Sequence, residues 1–221
     1  MSYKFDPIKA AKISLLQRQP FFGCLSTYLT YVYEEKMPHI AGVNNKGVVT
    51  FSKRFLELPR LQQEGVIAHE ILHICFQHLA RLGYRSQTLF NVAADSWVNR
   101  RLELTGFKLP DGSIDQKNLN TMFGINITDE MSSEERYDQL RKHCKIIKVC
   151  GGWDDHKYGD KTGEKDSEAT AKANAEKWQI RIQKAAAIAR QQGKVPAGFE
   201  KLFDDLLGSG KIPWHRVITK K

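Results

Sequence analysis

Apolar residues recur at helical spacing along most of the chain, whereas a shorter stretch near the N-terminus has the composition of strands. Asp6 followed by Pro7 predicts a helix start, because Asp caps a helix and Pro suits its first position. This helix is expected to end before Pro20. Residues 21–33 are rich in aromatic and β-branched side chains that alternate with other residues, a pattern that predicts a strand.

The following apolar segments predict a hairpin and then the strongest helix of the sequence. Residues 39–43 and 48–51 are predicted strands, separated by Asn44-Asn45-Lys46-Gly47, whose Asn and Gly residues tolerate the positive φ of a tight turn. Residues 58–82 carry the broad apolar surface of a buried helix. Gly83 is expected to end that helix.

Further helices are predicted downstream, at 89–104, after the capping-box pair Ser132 and Glu135, and from Ser167 to about Gln192. The intervening segment 106–131 is polar and rich in turn residues, so it is expected to be a loop. Residues 151–165 are glycine-rich and highly charged, and they are predicted to form a mobile loop. These elements predict an α+β fold in which a small, mainly antiparallel sheet packs against a helical bundle.

Composition and charge fit a globular protein. The 221 residues are 41% hydrophobic and 27% charged, and no apolar run approaches the roughly 20 residues of a membrane helix. Asp6 and Lys9 interrupt any secretory signal, so a cytoplasmic protein is expected. The four cysteines include no C-x-x-C pair, so a cysteine zinc knuckle has no support. The expected intracellular location favours free thiols over a disulfide between Cys144 and Cys150. A net charge of +9 would suit nucleic acid, but the basic residues are scattered among acidic ones, so a solvated surface is the favoured interpretation.

The motif that carries chemistry is His69-Glu70-Ile71-Leu72-His73, an H-E-x-x-H sequence inside the predicted helix 58–82. Residues four apart share one helix face, so both imidazoles can reach one ion at the zinc–nitrogen distance of about 2.0–2.1 Å. Glu70 lies beside them, where it can take a proton from activated water. The motif predicts zinc bound by His69 and His73, with Glu70 as general base. The alternative is a helix with two exposed histidines.

A catalytic zinc site needs a third protein ligand, and Asp95 in the segment NVAADSWVN is the prediction. It lies 22 residues after His73 in the sequence, which is enough for a turn and a second helix that crosses the first. The alternative is a surface carboxylate on an amphipathic helix. Asn91 and Asn99, one turn before and after Asp95, are predicted to hydrogen-bond the carboxylate and orient it, or else to lie at helix ends.

Several other polar residues are candidates for supporting roles. His78 lies about half a turn away from His69 around a continuous helix, so it is rejected as a ligand and interpreted as structural or surface-exposed. In the loop 151–165, Asp154-Asp155-His156 either holds a metal, closes over the cleft or is simply solvated. A tetrahedral intermediate also needs a hydrogen-bond donor for its oxyanion. The sequence does not choose among His156, Tyr84 and Arg81 for this role.

Two further elements are predicted to support the site. If residues 48–51 form an edge strand beside the cleft, their backbone groups can pair with an extended peptide. The long helix after Ser167 is expected to brace the bundle through Trp178, its aromatic anchor.

The segments VIAHEILHICFQHLAR and LFNVAADSWVNRRL resemble a family of metallopeptidases that usually precede a von Willebrand factor A-like domain. The resemblance also includes PFFG near residue 21, DDH at 154–156, and GKVPAGFEKLF with PWHRV near the end. It implies zinc ligation by His69, His73 and Asp95. Members of the family resemble parts of systems that work with MoxR-type AAA+ ATPases, although the A-like domain itself is not part of this chain.

The sequence therefore predicts one metallopeptidase-like domain over residues 1–221, zincin-like in fold, with a C-terminal helical extension from about residue 167. The expected reaction is hydrolysis of peptide bonds in proteins through a zinc-activated water. One alternative is a DNA-associated protease, suggested by the net charge. The other is a metal-stabilised scaffold that recruits a partner such as an AAA+ ATPase or an A-like domain.

Overall fold

Helices make up most of the fold, and a small sheet packs against them. The computed structural model describes residues 6–143, 168–196 and 198–200. Within these ranges the elements are, in chain order, α1 (Pro7–Arg18), α2 (Pro20–Ser26), β1 (Thr30–Tyr33), β2 (Ala41–Val43), β3 (Val48–Phe51), α3 (Lys53–Glu57), α4 (Arg60–Cys75), α5 (His78–Arg81), α6 (Gln87–Leu104), α7 (Gln116–Phe123), α8 (Ser133–Lys142) and α9 (Glu168–Gln191). The predicted loop 151–165 and the C-terminal segment after residue 200 lie outside the described residues.

The three strands form one mixed sheet in the order β1-β3-β2. β2 and β3 pair antiparallel, which confirms the predicted hairpin, whereas β1 pairs with β3 in parallel. The prediction of a mainly antiparallel sheet is therefore wrong, since one of the two pairings is parallel. Local strand preference does not specify which neighbour a strand takes from elsewhere in the chain.

Residues 20–26 form helix α2, although a strand was expected over 21–33, and only β1 remains of that strand. Pro20 occupies the first turn, where its missing N–H is not needed. Gly23 allows close contact with α1, because a Cβ at this position would lie 2.4 Å from Leu16 Cα. The apolar side chains of α2 are fully buried in the core: Phe21, Phe22 and Leu25. This tertiary burial overrides the strand preference of the aromatic residues.

One predicted helix is divided in two, and one predicted loop contains a helix. The predicted helix 58–82 is divided into α4 and α5, because Gln77 adopts the left-handed conformation with φ 51° and ψ 36°. The expected loop 106–131 contains helix α7, whose N-cap Asp115 accepts a hydrogen bond from the Lys117 backbone N–H. Gly124 ends α7 at φ 61°. Both signals, an Asp cap and a terminating Gly, are present in the sequence.

The long helix α9 braces the fold as predicted, and Trp178 is its aromatic anchor. The buried face of α9 packs against α2 and consists of Trp178, Ile182, Ala185, Ala186 and Ala189. The Trp178 ring lies on the hairpin turn at Gly47, where a Cβ would come within 2.3 Å of the ring. Gly47 also has φ 80°, so both the turn and the contact require glycine.

A buried arginine joins α8 to the rest of the bundle. Arg136 donates to Ser96 Oγ on α6 at 3.2 Å and to Gln116 Oε1 at 2.7 Å on α7. It also donates to the backbone carbonyls of Met131 and Thr128. Burial lowers the pKa of Arg136 to about 10, so the guanidinium is still charged at neutral pH. These bonds hold the start of α8 beside the middle of α6.

Gly65 on α4 allows the segment after α6 to lie directly against the helix. A Cβ at this position would come within 2.1 Å of the Lys108 carbonyl oxygen. The residues that follow, Leu109 to Ile114, line the cleft described below. The lack of a side chain at Gly65 therefore sets the position of one cleft wall.

We expect Gly65→Ala to destabilise the protein by roughly 1–3 kcal/mol, because the new methyl group overpacks the contact with Lys108. An Ala for Gly exchange inside a helix normally stabilises it by about 1 kcal/mol, so the sign is diagnostic. Urea unfolding measures the change, and Gln62→Ala in the same helix serves as the control, expected to shift stability by less than about 0.5 kcal/mol. A more stable Gly65→Ala protein would contradict the close approach.

Candidate metal centre

The H-E-x-x-H residues lie in the central part of α4, which is buried on nearly all sides. The exposed fractions are 6% for His69, 0% for Glu70 and 1% for His73. The alternative of two exposed histidines on a surface helix is therefore wrong. The spacing of four residues places both imidazoles on one face of α4, and this face is directed at α6.

Asp95 of α6 meets the two imidazoles. Its Oδ1 lies 3.1 Å from His73 Nε2 and 3.5 Å from His69 Nε2, and the two Nε2 atoms are 3.0 Å apart. Asp95 is only 2% exposed, so the alternative of a surface carboxylate is wrong. The three side chains form a buried group of potential metal ligands, with one ligand atom each.

The spacing and chemistry of these three atoms fit a single divalent ion. Ligands at about 2.05 Å in tetrahedral positions would be roughly 3.3 Å apart. Ligands at about 2.15 Å in adjacent octahedral positions would be roughly 3.0 Å apart. The three observed separations, 3.0, 3.1 and 3.5 Å, extend from the octahedral value to slightly above the tetrahedral value. Two imidazoles and a carboxylate suit zinc, iron or manganese, so the donor set fits a metal but does not distinguish among these three.

The outer nitrogen of His69 has a partner that fixes the ring. His69 Nδ1 lies 2.7 Å from Asn99 Oδ1, and Asn99 Nδ2 donates to the Ile114 carbonyl oxygen at 3.0 Å. An amide oxygen can only accept, so Nδ1 of His69 carries the proton and Nε2 presents its lone pair to the site. Asn99 was expected to orient Asp95, but its contact is with His69. Asn91 is buried on α6, and its predicted supporting role stays a prediction.

His78 is neither exposed nor directed away from the site. It is 1% exposed, and its Nδ1 lies 3.3 Å from His73 Nδ1. On a continuous helix His78 would point away from His69, but the left-handed conformation of Gln77 changes the direction of the chain before His78. His78 lies outside the group of potential ligands, so its rejection as a direct ligand is consistent with the structure.

A cleft of about 300 Å³ gives access to the group, and Glu70 lines it together with His69, Asp95 and Asn99. Glu70 follows His69 in α4 and is fully buried. When ionised, Glu70 and Asp95 would bring two negative charges to the cleft lining. A divalent cation would balance both charges, which would otherwise be costly to bury together.

The opposite wall and the rim were missed by the sequence analysis. They consist of Ile40, Arg54 and the segment Leu109-Pro110-Asp111-Gly112-Ser113-Ile114. The Pro-Asp-Gly sequence was a visible turn signal, but nothing in it indicates that the turn faces α4. Arg54 adds a cation to the cleft lining.

Two candidates for oxyanion donor lie away from this cleft. Tyr84 is 98% exposed, and Arg81 forms an ion pair with Glu134 on α8. Neither is among the cleft-lining residues, so neither is supported. His156, with Asp154 and Asp155, lies outside the described residues.

The predicted peptide-binding edge strand is not an edge. Residues 48–51 form β3, the central strand, and both of its sides are paired. β2 lies next to the cleft residue Ile40, but its three residues are buried. Residues 48–51 therefore do not form the expected edge, and the two edges of the described sheet are β1 and β2.

Residues 4–220 match a protein family described as “Putative metallopeptidase domain”. The chain belongs to this family. The match covers nearly the whole sequence and includes every residue of the metal-ligand group, in agreement with the resemblance read from the motifs. No curated protein and no solved structure matches the chain, so the zincin-like topology stays a prediction.

Membrane-spanning helices and the state of the cysteines can be compared with expectation in this family member. In the described part of the chain, no helix combines the length and the apolar character that crossing a membrane requires. Cys24 and Cys75 are free thiols, as expected, and burial raises the pKa of both. Cys144 and Cys150 lie outside the described residues.

We expect Asn99→Ala to weaken zinc affinity about 10–100-fold, because His69 loses the partner that fixes its ring. Competition with a chromophoric chelator measures the dissociation constant, and circular dichroism checks the fold. Asn120→Ala is the matched control, since Asn120 of α7 donates the same kind of hydrogen bond, to the Ile127 carbonyl, and does not line the cleft. Equal zinc affinity in wild type and Asn99→Ala would contradict the assigned role.

Proposed function

We propose that the protein is a zinc-dependent peptidase that hydrolyses peptide bonds in protein substrates. The observation that carries the proposal is the convergence of His69, His73 and Asp95 in one buried group, of which His69 and Asp95 line an accessible cleft together with Glu70. Membership of the metallopeptidase family supports the reaction class. Zinc is preferred because two His ligands one helical turn apart around a Glu suit a tetrahedral ion with an open position for water.

The chemistry divides between the ion and the residues of the chain. A zinc ion in this site would lower the pKa of water and polarise the scissile carbonyl. Glu70 accepts a proton from the attacking water while the water oxygen adds to the carbonyl carbon. Glu70 then donates that proton to the leaving amine as the C–N bond breaks. The hydrogen bond to Asn99 keeps the His69 imidazole in the required tautomer during both steps.

The cleft provides the means of holding a peptide. Its volume of about 300 Å³ accommodates a short stretch of chain rather than a folded domain, so an extended or unfolded segment is the proposed substrate. Arg54 in the lining can attract carbonyl or carboxylate oxygens of that segment. Cytoplasmic location, an AAA+ ATPase or A-like partner and contact with nucleic acid remain predictions of the sequence.

The test separates metal binding from proton transfer. We expect wild type and Glu70→Gln to hold one equivalent of zinc by elemental analysis, and Asp95→Ala to lose it. Hydrolysis of casein, an unfolded protein, is expected to fall about 10²–10⁴-fold in Glu70→Gln, because the general base is lost. Glu64→Gln is the matched control, since Glu64 is a buried glutamate on the same helix, paired with Arg18 and absent from the cleft lining.

Four results would contradict the proposal. Hydrolysis that persists in Glu70→Gln, or that EDTA does not affect, would remove the assigned mechanism. Stoichiometric zinc in Asp95→Ala would show that the ligand set is wrong. Zinc in wild type without hydrolysis of any unfolded protein would favour the alternative of a metal-stabilised scaffold.

A further inference from the structure

A chain of polar contacts leads from the metal-ligand group to the start of α8. His73 Nδ1 lies 3.3 Å from His78 Nδ1, and His78 Nε2 lies 3.1 Å from Ser133 Oγ. All three residues are buried, with exposed fractions of 2% or less. Three elements, α4, α5 and α8, are thus connected through one imidazole.

Aromatic side chains hold the His78 ring in place. Its centroid lies 6.0 Å from Phe76, 6.2 Å from Trp97 and 6.3 Å from Phe90. The Trp97 and Phe90 rings are nearly perpendicular to His78, whereas Phe76 is roughly parallel to it. An imidazole enclosed in this way keeps one orientation, so its two nitrogens face His73 and Ser133.

The chemistry of the site fixes the direction of the hydrogen bonds. If His73 uses Nε2 toward the metal, its proton is on Nδ1, which must donate. His78 Nδ1 is then the acceptor, and the proton of His78 is on Nε2, which faces Ser133 Oγ. The serine hydroxyl can accept this bond, so each member of the chain has a compatible role.

Backbone strain at Gln77 is an independent observation that points to the same residue. Gln77 is the one non-glycine residue with positive φ in the described part of the chain. The left-handed conformation is unfavourable for a non-glycine residue, so the surrounding structure must hold it. Its effect is to break α4 from α5 and to place His78 against His73.

We propose that His78 is a positioning residue for the metal site: its Nδ1 accepts a hydrogen bond from the Nδ1–H of His73, so that His73 Nε2 is presented to the ion, and Ser133 of α8 fixes His78. The inference rests on the proposed metal site. It adds a third histidine to that site in a role that the H-E-x-x-H spacing does not reveal. It also links metal affinity to the docking of α8.

The experiment measures cobalt and zinc dissociation constants of the full chain by chelator competition. In His78→Leu the leucine fills much of the same space among Phe76, Phe90 and Trp97 but cannot accept a hydrogen bond. This variant is expected to weaken both affinities about 10–100-fold. His78→Asn places an oxygen near the position of Nδ1 and is expected to recover most of the loss. The visible absorption of bound cobalt reports ligand geometry; it should change in His78→Leu and return toward wild type in His78→Asn.

Ser133→Ala and His143→Leu complete the test. Ser133→Ala should fold, because Arg136 and the Arg81–Glu134 pair still hold α8, and should weaken affinity roughly threefold to tenfold. His143→Leu removes a histidine at the other end of α8, about 15 Å along the helix, and should leave affinity unchanged.

A folded His78→Leu protein with wild-type affinity and cobalt spectrum would overturn the inference. If His78→Leu does not fold, unchanged affinity in Ser133→Ala would overturn it instead. Failure of wild type itself to bind zinc or cobalt would contradict the proposed function, and is thereby distinguished from failure of the role of His78 alone.

Discussion

The convergence of two imidazoles and one carboxylate at the contact between α4 and α6 is the constraint on which the rest of the site depends. Their three ligand atoms lie 3.0 to 3.5 Å apart, and each side chain is almost completely buried. Polar groups in such a place are stable only when their hydrogen-bonding and charge requirements are met. A divalent ion would meet these requirements, and Glu70, which lines the same cleft, is the proposed general base.

The surrounding structure holds each of these groups by a separate route. Asn99 and the Ile114 carbonyl fix His69, while His78 and Ser133 lie behind His73. Gly65 brings the segment from Lys108 to Ile114 over α4, so the residue that supports Asn99 also belongs to the cleft wall. Helix packing, ring orientation and cleft shape therefore involve the same residues.

Much of the fold and the centre of the site could be predicted from sequence because the signals are local. Helical periodicity placed α4 and α6, and Asp6, Ser132 and Glu135 marked helix starts through capping. The H-E-x-x-H spacing and a carboxylate at the expected distance identified the group that the structure brings together.

What could not be predicted depends on contacts between distant segments. Burial of α2 overrode the strand preference of its aromatic residues, and the parallel partner of β3 was not encoded locally. The left-handed conformation of Gln77 redirected His78, which a continuous helix would have turned away. The cleft wall at 109–114 was missed for the same reason, since a turn signal does not state what the turn packs against.

Anomalous diffraction at the zinc absorption edge from crystals of the zinc-loaded protein tests the metal site most directly. We expect one strong peak within about 2.2 Å of His69 Nε2, His73 Nε2 and a carboxylate oxygen of Asp95. A zinc peak at other ligands, such as cysteine sulfurs, with none between the two imidazoles and Asp95, would contradict this expectation.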